Sequence, residues 1–235
     1  MGCNAFSFKK IAGFEATAFA YLHGRVVWTG AVTVDHPRNV YAPWQPPAMV
    51  AQGFDNLAGL RACAQTLCID RPKGLMLWFL SKPLPFPFEA TAGRFDAVAN
   101  ALRTSDVDAL LLACQRLLGL GPGLTPSGDD FLGGLLFSLG HLPGWRGSER
   151  LHQISDALQV LAQHPKQPAT NPISAALMGD LMRGQGYRPA HQFMKALALG
   201  QSQAMQAACD DLEQLGSSSG FDILAGMLTA ITNAN

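Results

Sequence analysis

Of the 235 residues 48% are hydrophobic and 14% are charged, with 17 basic side chains balancing 17 acidic ones. This composition excludes a disordered chain, and it supplies neither the basic stripe of a nucleic-acid binder nor a cationic amphipathic face for a membrane. The longest apolar runs, such as residues 75–80, are far too short to span a bilayer.

The five cysteines (Cys3, Cys63, Cys68, Cys114, Cys209) are odd in number and scattered among apolar neighbours. They read as free thiols of a reducing compartment rather than a disulfide framework, and none are spaced as a zinc pair. The opening Met1-Gly2-Cys3-Asn4-Ala5-Phe6 has Phe6 where myristoylation wants Ser or Thr, and no apolar stretch precedes Cys3. A cytoplasmic protein is expected.

Residues 14–22 and 25–34, rich in aromatic and β-branched types, predict two strands joined at His23-Gly24. The segment 50–64 is ambiguous, with room for a short helix over 57–63. Residues 66–70 and 75–80 read as two further strands around the turn Arg71-Pro72-Lys73-Gly74. From Ser81 to Phe88 a proline stands at every second position in Pro83, Pro85 and Pro87, which predicts an extended connector and a domain boundary.

Beyond it the apolar spacing becomes helical. Ser105 is the expected cap of a helix carrying Val107, Leu110, Leu111, Cys114, Leu117 and Leu118 on one face. Leu151, Ile154, Leu158 and Leu161 form a second stripe, and Met205, Cys209 and Leu212 a third. A final helix carries Phe221, Leu224, Ala225, Leu228 and Ile231, and Gly200 reads as a stop before a restart at Ser202. The expected fold class is α+β: a β-rich N-terminal domain over 1–88 and an all-α domain over 89–235.

One turn concentrates the chemistry. Residues 119–128 contain four glycines (Gly119, Gly121, Gly123, Gly128) and lead through Thr125, Ser127, Asp129 and Asp130 into an apolar helix. Glycines cost conformational entropy on folding, so a requirement must retain them; close approach of backbone N–H groups to an anion is one. Ser127 followed by Asp130 also fits a capping box, in which Asp129 and Asp130 merely complement the helix dipole.

The string then recurs. Ser127, Gly128, Asp130, Leu132 and Gly134 are answered by Ser219, Gly220, Asp222, Leu224 and Gly226, 92 residues later, with Thr125 answered by Ser217. Glycine directly after the serine costs about 1 kcal/mol against alanine within a helix, so capping alone does not select it twice. Two such starts suggest a pseudo-symmetric pair converging on one ligand. The acids would repel a bare phosphate there, so they point away, accept protons from an amide-bearing substrate, or hold Mg²⁺ bridging to the anion.

Gly119, Gly121 and Gly123 with Leu124, Thr125, Pro126, Ser127, Gly128, Asp129, Asp130 and Leu132 resemble the first motif of the AllH family. Gly216 to Gly226, through Ser218, Ser219, Gly220 and Asp222, resembles its second motif, with Ser218 where threonine is expected. Thr170-Asn171-Pro172-Ile173-Ser174 resembles a weaker third. The resemblance implies a subunit of oxamate carbamoyltransferase, acting with two partner subunits in allantoin (purine) catabolism on oxalurate, phosphate, oxamate and carbamoyl phosphate.

On that reading the substrate-binding residues are Gly121, Gly123, Thr125, Ser127, Gly128, Ser218, Ser219, Gly220, Asp222, Thr170 and Ser174. Asp129 and Asp130 are the catalytic candidates, as proton acceptors from the attacking amide nitrogen. Mg²⁺ is the cofactor the acids admit. Two other readings stay open: a non-catalytic metabolite-binding or scaffolding subunit, and a small-molecule phosphotransferase, which lacks a P-loop lysine. The six histidines show no zinc-helix spacing, Cys114 lies on an apolar stripe, and the four tryptophans read as core or interface anchors.

Overall fold

The computed structural model describes residues 19–22, 25–28, 54 and 56–234. They contain strands β1 (Phe19–Leu22) and β2 (Arg25–Trp28), then helices α1 (Leu57–Ala64), α2 (Met76–Phe79), α3 (Ala92–Thr104) and α4 (Val107–Gln115). After the glycine turn come α5 (Ser127–Leu139), α6 (Glu149–Ala162), α7 (Pro172–Met182), α8 (Arg188–Ala198), α9 (Ser202–Glu213) and α10 (Ser219–Asn233). β1 and β2 pair antiparallel, Leu22 opposite Arg25, within one compact unit over residues 4–45; the described helices belong to a second unit.

Several helices start where a side chain replaces the missing acceptors of a first turn. Asn56 caps α1 at the Gly59 N–H (2.9 Å), and Asp106 caps α4 at the Ala109 N–H (2.9 Å). Ser148 caps α6, and Asn171 caps α7 with Pro172 as its first helical residue. The cap of α4 is therefore Asp106 rather than Ser105. Ser105 instead ends α3 in the left-handed conformation, φ +54°, which frees its neighbour to cap.

The expectation of a β-rich N-terminal domain is overturned. The described part of that span, from residue 54 onward, is helix and turn, with α1 and α2 where two strands and an ambiguous segment were expected. Residues 66–70 form no strand, and residues 75–80 form a helical turn around α2. The reason lies in Leu75-Met76-Leu77-Trp78-Phe79-Leu80 itself. A short continuous apolar run is compatible with either state, and this one contains no β-branched residue. Residues 14–18, 23–24 and 29–34 of the expected hairpin lie outside the described residues.

All thirteen residues of α5 and twelve of the fifteen in α10 are buried. A helix apolar on every side belongs at the centre of a fold, and α5 and α10 are each other's main neighbour. A methyl group at Gly134 would run into the Ile223 carbonyl, and one at Gly226 into the Phe131 carbonyl. Phe131 and Ile223 occupy equivalent places in the repeat, as do Gly134 and Gly226. With Thr125 and Ser219 meeting at the two helix starts, the helices run in parallel, each using its glycine to admit the other's backbone.

The repeat reaches back further than the serine motif. Leu110, Ala113, Cys114, Leu117 and Leu120 at the α4 end match Met205, Ala208, Cys209, Leu212 and Leu215 at the α9 end, 95 residues later. The loop before α5 is longer by three residues, which accounts for the change from 95 to 92. Gly128 N–H donates to the Leu120 carbonyl (2.8 Å) and Gly220 N–H to the Leu215 carbonyl (3.0 Å), so the two helix–loop–helix units are built alike. No helix among the described residues is long and apolar enough to cross a membrane.

Candidate functional site

Parallel packing brings the starts of α5 and α10 together, and with them two positive dipole ends that repel each other. Buried negative charge is the natural compensation. Asp129, Asp130 and Asp222 supply it at 1%, 6% and 0% exposure. Each finds a different solution to the cost of burying a carboxylate.

Asp129 is saturated. Its Oδ1 accepts the Gly119 N–H (2.8 Å), while Oδ2 accepts the hydroxyls of Ser174 (2.6 Å) and Thr170. Gly119 sits at φ +68° with the Ala169 carbonyl where a side chain would lie, so only glycine can present its N–H there. The weak third motif is thereby joined to the first through a single carboxylate.

Asp222 is nearly as well satisfied. Oδ1 accepts the Leu75 N–H (2.6 Å) and Oδ2 the Ser218 hydroxyl (2.9 Å). Burial lifts its pKa to about 6, opposed by the Leu75 N–H and by the hydroxyls of Ser127 and Ser218.

Asp130 is the exception. Its Oδ2 is buried and accepts no hydrogen bond. Burial raises its pKa to about 8, against the Ser219 hydroxyl, with the Asp222 and Asp129 charges adding to the rise and the Thr125 hydroxyl opposing it. At neutral pH this group is largely a neutral acid. Tyr187, half-buried at the start of α8, feels the same carboxyl: burial and then the Asp130 and Asp180 charges lift its phenol to about 12.

The serines cross over. Ser127 of α5 favours the charge on Asp222 of α10, and Ser219 of α10 favours the charge on Asp130 of α5. The Thr125 and Ser219 hydroxyls lie 2.9 Å apart and tie the two motifs directly. Neither serine acts as a cap: the N-caps are Pro126 and Ser218, without side-chain cap hydrogen bonds. The capping box expected at Ser127 and Asp130 is not formed, because those side chains are committed to the other helix.

Gly128 and Gly220 also change meaning. A methyl at either would strike a backbone carbonyl, Leu117 or Leu212, so tight helix–loop packing explains both glycines without any ligand. Their N–H groups are spent on Leu120 and Leu215, and those of Asp129 and Asp130 on Pro126. The first-residue N–H groups, Ser127 and Ser219, precede the intrahelical ladder. Gly121 passes closely between the Phe88 ring and the start of α5: a Cβ there would lie 3.0 Å from the ring and 3.1 Å from the Ser127 nitrogen. Gly123 faces open space at the exposed tip of the loop.

The structure therefore gathers Gly121, Thr125, Ser127, Asp130, Ser218, Ser219 and Asp222 around the paired helix starts. It ties Asp129, Thr170 and Ser174 into a supporting cluster, and sets Gly128 and Gly220 behind them as packing residues. Sequence reasoning missed the Leu75 N–H and Tyr187. Among the described residues no group of three or more His, Cys, Asp or Glu is placed to hold a metal ion.

No solved structure matches this chain. The family model described as oxamate carbamoyltransferase subunit AllH matches residues 117–231, from Leu117, two residues before Gly119, to Ile231 in α10. That span contains both copies of the serine–glycine–aspartate motif and the Thr170–Ser174 cluster. The match over residues 117–231 supports an AllH-like family assignment for this part of the chain.

Proposed function

We propose that this chain is a subunit of an oxamate carbamoyltransferase-type enzyme, binding a small anion such as carbamoyl phosphate at the joined starts of α5 and α10. The observation that carries the reading is the parallel pairing of two helices whose starts bear the AllH-matched motifs. Two dipole ends and the Ser127 and Ser219 N–H groups favour negative charge there. The Thr125, Ser127 and Ser219 hydroxyls add adaptable donors.

Oxalurate and phosphate, exchanging with oxamate and carbamoyl phosphate, are the reactants on this reading. Of the two acids expected to accept a proton from the attacking nitrogen, Asp129 has both oxygens engaged, which leaves Asp130 in its ionised form, so proton acceptance would rise as pH passes through about 8. The same N–H donors would stabilise charge developing on the carbamoyl oxygen. Partner subunits of the complex would supply the remaining groups.

A second reading, a non-catalytic metabolite-binding subunit, is favoured by one feature. The donors that meet these three carboxylates are hydroxyls and backbone N–H groups, with no guanidinium or ammonium among the hydrogen bonds to them. Titration calorimetry of the purified chain with carbamoyl phosphate, for wild type and Ser127→Ala, tests the anion site. Saturable binding weakened at least about tenfold by the substitution supports it. Equal binding by both proteins sinks it.

A further inference from the structure

The internal repeat contains its own control for the unpaired oxygen of Asp130. Asp130 and Asp222 occupy the same place in the two motifs, and each meets the serine of the opposite helix. Asp222 also receives a backbone N–H from outside the pair, Leu75 at 2.6 Å. Among the described residues Asp130 receives no such donor, and its Oδ2 is left buried and unmatched. Leaving a buried carboxyl oxygen without a partner is costly, so a ligand that supplies the missing group is strongly rewarded.

We propose that Asp130 is the specificity-determining residue of this site, reading the N–H edge of a carboxamide or carbamoyl ligand as Asp222 reads the Leu75 N–H. The inference rests on the anion-site reading above and gives it a direction. The anionic end of the ligand lies toward the Ser127 and Ser219 N–H groups, and the amide end faces Asp130. Thr125 and Ser219, whose hydroxyls pair across 2.9 Å, are neutral groups that a ligand can displace or rejoin at low cost. With Asp130 ionised, a site of this kind separates an amide from the equally shaped carboxylate, because the carboxylate offers an oxygen where Asp130 needs a donor. Asp129 and Asp222 reinforce the discrimination by their negative charge.

The test compares oxamate with oxalate, which differ by one amide group, by titration calorimetry on the full chain at about pH 9, where Asp130 is mostly ionised. Wild type is expected to bind oxamate at least about tenfold more tightly, the worth of one charge-assisted hydrogen bond. Asp130→Asn keeps the shape but adds an N–H₂ donor; it is expected to strengthen oxalate binding and close the gap to about threefold or less. Asp130→Ala, verified as folded by its melting transition, should also lose the preference. Equal affinities in wild type, or an unchanged gap in Asp130→Asn, overturn the role of Asp130. Ser127→Ala separates the two claims. If it weakens both ligands while the Asp130 variants leave the preference intact, the anion site stands and this inference falls. If neither ligand responds to Ser127→Ala, both fall.

Discussion

Thr125 and Ser219 meet hydroxyl to hydroxyl at 2.9 Å, although 94 positions separate them in the chain. The contact is possible only because α5 and α10 begin side by side. It converts a sequence repeat into a single place where two helix starts and three buried carboxyls share one environment.

Parallel packing depends on the two glycines about two turns into each helix. Gly134→Ala and Gly226→Ala should each destabilise the protein by about 1–3 kcal/mol, since the added methyl meets a carbonyl rather than a flexible side chain. Denaturant unfolding measures this directly. Equal stability for both variants and wild type would mean that the helices do not approach so closely.

The saturated state of Asp129 makes Thr170 and Ser174 structural. Replacing Ser174 with Ala leaves a buried carboxylate oxygen short of a donor and should cost about 1–3 kcal/mol. Anion affinity, measured on the folded variant, should change far less than in Ser127→Ala. A large loss of affinity at unchanged stability would instead place Ser174 in the site.

The pH dependence has a definite sign. The folded pKa of Asp130, about 8, and of Asp222, about 6, both exceed the ordinary value of 3.8, so the native state holds these protons more tightly than the unfolded chain. Their stabilisation is complete below about pH 3.8 and is lost as pH rises through 6 for Asp222 and through 8 for Asp130. Wild type should therefore lose melting temperature relative to Asp130→Asn between pH 5 and 9, a window on the order of these shifts. A difference that stays constant across that range would show that Asp130 titrates normally.

The parts of this arrangement visible in the sequence were those with local rules. Asn171-Pro172 announced a helix start, and the recurrence of Ser-Gly-x-Asp announced a paired site. What the serines do was hidden, because Ser127 and Ser219 obey a capping pattern locally but spend their hydroxyls across the helix pair. Gly128 and Gly220 read locally as anion-cradling residues, whereas the Leu117 and Leu212 carbonyls exclude any side chain there. The Leu75 N–H was illegible because it belongs to an apolar run that reads equally as a strand. Tyr187 stands before Arg188-Pro189, which marks a helix start but gives no sign of the carboxyl it faces.

The central claim is that the two motif copies form one site, and backbone NMR with carbamoyl phosphate tests it most directly. Titration into the labelled chain should shift the amides of Gly121, Thr125, Ser127, Ser218 and Ser219 together, along one saturation curve that Ser127→Ala abolishes. Shifts confined to one copy, or lying elsewhere in the chain, would contradict a shared anion site at the starts of α5 and α10.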